Sequence, residues 1–461
     1  MLFNSTNFLI FALIFFPIYH LSSGRSKLFI TLISSYIFYA FFDYRFLLLL
    51  FSITIINYYY GILLINNRRK ILLIIPLALN LIILSYFKYF NFFIGSFYDL
   101  LGLFGIYKKQ YLFEIILPVG ISFFTFQGMS YIIDVYKNKI QPEKSFIKFS
   151  TYISLFPQLV AGPIVRAGSL IKFLGDKSQL SFILFLKSCE LIIYGFFLKI
   201  CVADRLGIFT EQTFSNPENY GGLIHLISSV FFSFQIYADF AGYSLIAIGL
   251  GKLMCLRFGT NFRRPYFAEN IQQFWRRWHI SLSSWLRDYI YIPLGGNKVK
   301  SSRIYVNTLI VMFLGGLWHG SSYNFIIWGV SHGILLCIYR FYRKSFKDIN
   351  TPRFINILFT FLIVNFLWIF FRSDSLDVSL LIFEKIFHLN DFFLNISFDL
   401  FNLVISLFMI FLIISVDFYY EFVVKNLKYR VSYRIFLGMI LLWMILFLGV
   451  FEGTNFIYFK F

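Results

Sequence analysis

The sequence predicts an all-α protein that crosses a membrane many times, and three observations carry that reading. Of its 461 residues, 59% are hydrophobic and only 14% charged. The mean hydropathy is +0.74. Stretches of about 18 or more uncharged, apolar residues, long enough to span the hydrocarbon core as a helix, recur along most of the chain. A water-soluble chain of this length needs far more polar surface. At about 20 residues per crossing plus loops, roughly ten to twelve helical segments fit. An outer-membrane barrel is excluded, because the apolar runs are continuous rather than alternating over ten-residue strands.

In chain order the candidate crossings are 6–22, 28–42, 46–65, 71–87, 89–106, 115–134, 180–201, 222–250, 305–318, 323–339, 354–371, 400–420 and 434–450, some of them short or half-membrane segments. Between them lie basic clusters at Arg68-Arg69-Lys70, Lys137–Lys148, Lys252–Arg303, Arg340–Lys347 and Lys425–Arg434. These clusters account for the net charge of +19, and the positive-inside rule puts most of them on the cytoplasmic face, so no nucleic-acid partner is expected. The four cysteines, Cys189, Cys201, Cys255 and Cys337, sit in largely apolar surroundings without metal spacing and read as small core residues. The segment Phe8–Leu21 lacks a basic flank and a small-residue cleavage site, so it reads as a retained first helix. With no soluble domain and no long linker, the expectation is one integral domain over residues 1–461.

Two stretches do not read as simple spans. In FPQLVAGPIVRAG (Phe156–Gly168) two prolines and two glycines interrupt apolar sequence. A re-entrant loop and an ordinary interfacial turn fit it equally, since irregular backbone at membrane depth must be buried in protein or line a wet cavity. In FWRRWHISLSSWLRDYIYI (Phe274–Ile292), read as a helix, Trp275, Trp278, Leu282, Trp285 and Tyr289 form one aromatic face, and Arg276, His279, Ser283 and Arg287 form a polar stripe. Such a helix suits a membrane interface. Its stripe, with Arg263 and Arg264 just upstream, either anchors the helix or meets an anionic cofactor or headgroup, with His279 reaching inward.

The run from Ile304 to Tyr339 carries no charge and is bounded by Arg303 and Arg340. It is too short for two full crossings and too long for one. From Arg303 to His319 is about 24 Å of helix at about 1.5 Å per residue, against a hydrocarbon core of about 30 Å. If both arginines face the cytoplasm, the Gly-Gly-x-x-His-Gly turn in FLGGLWHG (Phe313–Gly320) lies deep in the bilayer or near its far side. An ionisable group at that depth normally faces a polar cavity or a partner. Gly315, Gly316 and Gly320 permit a helix break and close backbone approach. A histidine with a pKa near 6.5 accepts a proton near neutral pH and suits deprotonation of a hydroxyl that attacks a thioester. A structural hydrogen bond between helices is the competing reading.

Asp239, in FQIYADFAGYS, is a second isolated charge, fit to orient a histidine, to pair with a buried arginine or to make a structural ion pair. Ser233 and Ser244 show no triad spacing, His332 reads as packing, and His20, His225 and His388 read as loop or interface residues. No phosphate loop, metal-ligand motif or paired-carboxylate site stands out.

The segments LPVGISFFTFQGMSYIIDVYK (Leu117–Lys137), FPQLVAGPIVRAG, YADFAGYSLIAIG (Tyr237–Gly249), NFRRPYFAENIQQFWRRWHISLSSWLRDYIYIPLGGN (Asn261–Asn297), FLGGLWHG and the terminal FIYFKF together resemble the membrane-bound O-acyltransferase family, in its bacterial alginate O-acetylation branch. The resemblance runs from Leu117 to the C-terminus; residues 1–116 match only in hydropathy. One departure is Leu245, where that branch has an acidic residue after GYS.

The resemblance implies helices, with re-entrant and interfacial segments, around a funnel or tunnel. It implies His319 as catalytic residue and His279 as the second family histidine, with Trp318, Ser283 and Asp239 in support. Arg263, Arg264, Arg276 and Arg287 become candidates for the donor's phosphates. It further implies acetyl-CoA as cytoplasmic donor, a polysaccharide acceptor, an extracytoplasmic partner of the SGNH hydrolase type, and a bacterial cytoplasmic membrane location. Two alternatives remain: the D-alanyl transferase branch, which resembles this chain in the same motifs but draws on a carrier protein, and a transporter without chemistry, whose proton path Asp239 and His319 would suit.

Overall fold

The computed structural model describes residues 1–106, 112–160, 162–176, 179–346, 351–388, 399–423, 431–451 and 456–457. Residues 458–461 of the terminal FIYFKF, Ala161 of FPQLVAGP, Lys347 and most of the 425–434 basic cluster lie outside them. Among the described residues every regular element is a helix. Seven are long and apolar enough to cross a membrane: Phe46–Asn66, Ile71–Leu103, Gly222–Leu253, Tyr323–Ser345, Arg353–Arg372, Leu400–Val423 and Val431–Leu448. The other expected segments are helical as well but shorter or more polar, as in Thr6–Leu21, Gly24–Ala40, Ile121–Tyr136 and Ser301–His319.

Three expectations are corrected. The segments 71–87 and 89–106 form one helix, Ile71–Leu103; it passes straight through Lys88, a residue that is itself a good helix former. The 115–134 segment becomes helical only at Ile121, after Pro118 and a left-handed Gly120 (φ 76°) whose added Cβ would meet the Leu159 carbonyl at 2.6 Å. The single helix expected over Phe274–Ile292 is two short helices, Ile271–Arg277 and Ile280–Leu286, followed by a π-helical turn. His279 takes φ 41° between them, so Arg276, His279, Ser283 and Arg287 do not form one stripe.

The described chain divides into two compact units, residues 1–188 with 247–259, and residues 189–246 with 260–461. In the first, Phe156 packs against Phe11 (5.2 Å), Phe15 (5.1 Å) and Phe38 (5.5 Å). Phe156 opens the one-turn helix Phe156–Leu159, and the non-helical backbone beyond it at 162–165 is buried, the condition for such backbone at membrane depth. Asn57 and Asn80, on neighbouring helices, exchange amide hydrogen bonds at 3.1 Å in both directions, which satisfies two buried polar groups among apolar side chains.

The second unit is built around the helical hairpin Ser301–His319 and Tyr323–Ser345. Its helices nearly touch at Gly316 and Gly329: a Cβ on Gly316 would overlap the Phe325 carbonyl, and one on Gly329 the Met312 carbonyl. The helix continues through Gly315 and Gly316 and ends at Gly320, whose backbone is extended; a side chain there would enter the Phe325 ring. Small residues thus serve close approach, the usual basis of helix packing without a hydrophobic drive between helices. Three tryptophans, Trp278, Trp328 and Trp368, are fully buried in this unit.

Candidate active site

Two backbone hydrogen bonds tie the NFRR segment to the break after Arg277. The Arg263 N–H donates to the Arg277 carbonyl at 2.9 Å, and the Ile280 N–H to the Asn261 carbonyl at 2.9 Å. The left-handed conformation of His279, which histidine tolerates better than most side chains, turns the chain into the Ile280–Leu286 helix. Ser283 supports that turn, its hydroxyl donating to the Trp278 carbonyl at 3.3 Å.

This loop places Asn261 against His279. Asn261 Oδ1 accepts from the Ser281 N–H (3.2 Å) and the Ser281 hydroxyl (2.9 Å), while its Nδ2 donates to Ser244 Oγ (3.0 Å). The backbone donor fixes which end of the amide is oxygen. His279 Nδ1 lies 3.2 Å from the same oxygen and must therefore carry the proton, which leaves Nε2 with the lone pair. Nε2 is buried and meets no hydrogen-bond partner among the described residues. Burial pushes the His279 imidazole down to about 3, so the ring is neutral at pH 7.

His319 ends its helix and is 2% exposed. Its ring lies 6.4 Å from that of His279. The indole of Trp318 bridges the two, 5.5 Å from His279 and 5.0 Å from His319. Trp328 at 5.0 Å and Phe371 at 5.2 Å pack edge-on to His319, and Phe240 at 4.6 Å packs edge-on to His279. Behind them Trp328 stacks on Trp368 (5.6 Å), and Trp368 meets Trp278 (4.9 Å). Two buried imidazoles inside an aromatic wall form a low-dielectric setting, where hydrogen bonds and developing charges interact far more strongly than in water.

The other expected residues separate. Asp239 engages Lys199 Nζ at 2.9 Å and accepts from the Ile457 N–H at 2.8 Å, and Lys199 also reaches Asp204 at 2.7 Å. This is the structural ion pair among the three readings of Asp239, with a lysine as its cation. Arg264 pairs with Glu421 at 2.9 Å, together with Arg277 and Arg353, each at 3.0 Å. Arg287 pairs with Asp288 at 2.7 Å. Arg263 and Arg276 are exposed and make no ion pair among the described residues. Asn261, Ser281, Trp328 and Phe371 were not legible as site residues. Asn261 meets His279 across 18 positions through a loop whose turning residue is neither Gly nor Asn, and Trp328 and Phe371 look like ordinary core aromatics.

The pattern of the membrane-bound O-acyltransferase family matches residues 141–376. A protein named probable alginate O-acetylase AlgI from Pseudomonas aeruginosa is 38% identical over 398 residues, covering 84% of this chain and 75% of its own length. The peptidoglycan O-acetyltransferase of Helicobacter pylori is 34% identical over 391 residues, 78% of this chain and 73% of that protein. The teichoic acid D-alanyltransferase of Bacillus subtilis is 27% identical over 256 residues, 52% of this chain and 64% of that protein. With seven apolar helices long enough to span a bilayer and two buried histidines facing one indole, this chain is an acyltransferase and belongs to the membrane-bound O-acyltransferase family.

Proposed function

We propose that the protein moves an acetyl group from acetyl-CoA on the cytoplasmic side of the bacterial inner membrane toward an extracytoplasmic polysaccharide, through an SGNH-type partner acyltransferase. The observation that carries the reading is the buried pair His279 and His319, 6.4 Å apart and bridged by Trp318. In this reaction His319 takes the proton from an acceptor hydroxyl as its oxygen attacks the thioester carbonyl. The tetrahedral intermediate then collapses: the carbon–sulfur bond breaks, and the proton on His319 passes to the departing thiolate. His279 presents Nε2 as a second neutral acceptor beside this centre. The exposed Arg263 and Arg276 meet the donor's phosphates, while Arg264 and Arg287 contribute within ion pairs. The polymer is an alginate-like exopolysaccharide or peptidoglycan, in keeping with the two O-acetylating relatives.

The test is reconstitution. Proteoliposomes of the full chain are given acetyl-CoA or a D-alanyl carrier protein, with the partner acyltransferase and oligosaccharide on the opposite side. Acetyl ester formed from acetyl-CoA alone supports the reading. D-alanyl ester formed from the carrier alone replaces it with the teichoic-acid branch, and solute flux without any acyl donor replaces it with a transporter.

A further inference from the structure

Behind His319 the Tyr323–Ser345 helix buries another imidazole that acyl transfer leaves without a role. His332 is fully buried. Its ring is boxed by Trp328 at 4.8 Å, Trp275 at 5.1 Å and Phe274 at 6.1 Å, the last lying parallel within 4°. Neither ring nitrogen of His332 has a hydrogen-bond partner among the described residues, and neither do the indole N–H groups of Trp275 and Trp328. A neutral imidazole offers one N–H and one lone pair, and an indole offers only its N–H. Three donors and one acceptor are therefore buried together around a box of carbon.

Buried polar groups of native proteins are satisfied by protein or by ordered water, and a site with several polar atoms is where such water stays. Carbon walls alone would favour leucine over histidine at position 332. Trp328 links this box to the reaction centre, since the same indole lies 5.0 Å from His319 and 4.8 Å from His332.

We propose that His332, Trp275 and Trp328 hold an internal ordered water, and that this group fixes the Trp328 ring against His319, so that His332 is a positioning residue for acyl transfer. One water accepts two of the N–H groups and donates to the imidazole lone pair. The indole edge beside His319 is then held by hydrogen bonds as well as by packing. The kinetic part rests on the acyl-transfer reading; the water site does not.

Two measurements test it on the full chain. A structure of the detergent-solubilised protein at a resolution that shows ordered water should place one about 2.7–3.2 Å from a His332 ring nitrogen and an indole Nε1; a dry box overturns the site. In reconstituted transfer, His332→Leu should lower kcat roughly 10- to 100-fold, the scale of a small misplacement of a reacting group. KM should stay within about two-fold, because binding is untouched. His332→Gln, which keeps a donor and an acceptor, should recover most of the rate. Wild-type kcat in His332→Leu, or equal losses in the Leu and Gln variants, contradicts positioning through hydrogen bonds. If His332→Leu does not fold, Trp275→Phe carries the kinetic arm: it removes one N–H and keeps the ring, and an unchanged kcat there overturns the role. A wild-type protein that transfers no acyl group overturns the function and the kinetic role together, while the water density speaks to the site alone.

Discussion

The Nδ1 atom of His279 lies 3.2 Å from Oδ1 of Asn261, and this contact decides which nitrogen of a buried imidazole is basic. Asn261 is itself oriented by Ser281 and Ser244. The proton is thereby held on Nδ1, and the lone pair is left on Nε2, as when a hydrogen bond to one ring nitrogen selects the tautomer at the other.

Asn261→Leu removes the acceptor from both His279 and Ser281. The expected result is a fall in kcat of about 10- to 100-fold, with folded protein still recoverable. Asn261→Asp keeps an acceptor and should lose less. Initial rates of acetyl transfer by the two variants in proteoliposomes check this ordering.

The burial of His279 also sets a pH dependence of stability. In the folded chain its pKa lies at about 3, against about 6.5 for an ordinary imidazole. Between those values the unfolded chain holds a proton that the folded chain does not, so stability rises with pH. The contribution is complete above about pH 6.5 and is lost as the pH falls toward 3, with about 2 kcal/mol of it gone by pH 5. Thermal unfolding should therefore show wild-type protein losing more Tm between about pH 7.5 and 5 than His279→Gln does.

Gly316 and Gly315 are adjacent yet meet different surroundings. A Cβ on Gly316 would strike the Phe325 carbonyl and come within 3.2 Å of Gly329 Cα, whereas one on Gly315 would only come within 3.3 Å of a Leu286 methyl. Gly316→Ala should destabilise the hairpin by about 1–3 kcal/mol, the usual cost of overpacking. Gly315→Ala should be close to neutral. Tm values of the purified variants separate the two.

Lys199 stands between two buried carboxylates, at 2.7 Å from Asp204 and 2.9 Å from Asp239. Lys199→Met strands both anions and should cost about 3–5 kcal/mol. Adding Asp204→Asn and Asp239→Asn should return much of that stability. The yield of folded protein, followed by size-exclusion chromatography, reports the outcome.

Much of this architecture was legible because long apolar runs have one physical solution in a bilayer. The runs at 46–65, 222–250, 354–371 and 400–420 became helices with nearly those limits. The histidine hairpin was legible through its length, its glycines and the one uncharged run that carries His319. Three things were hidden. The stretch from Phe274 to Ile292, amphipathic at helical spacing and free of Pro, gave no sign of the left-handed turn at His279, because no Gly or Asn marks it. The tautomer-setting Asn261 was equally silent, since its partnership arises from a loop that brings together residues 18 positions apart. Pairing of the arginines escaped too, because Glu421, which gathers Arg264, Arg277 and Arg353, lies more than 65 residues from each of them.

The most direct test of the account is the ester-linked acetate on the envelope polysaccharide of cells carrying His319→Ala in place of the wild-type chain. With the variant expressed at wild-type level and inserted in the membrane, the account predicts that this acetate falls to the level of cells lacking the protein. Acetate at the wild-type level would contradict it.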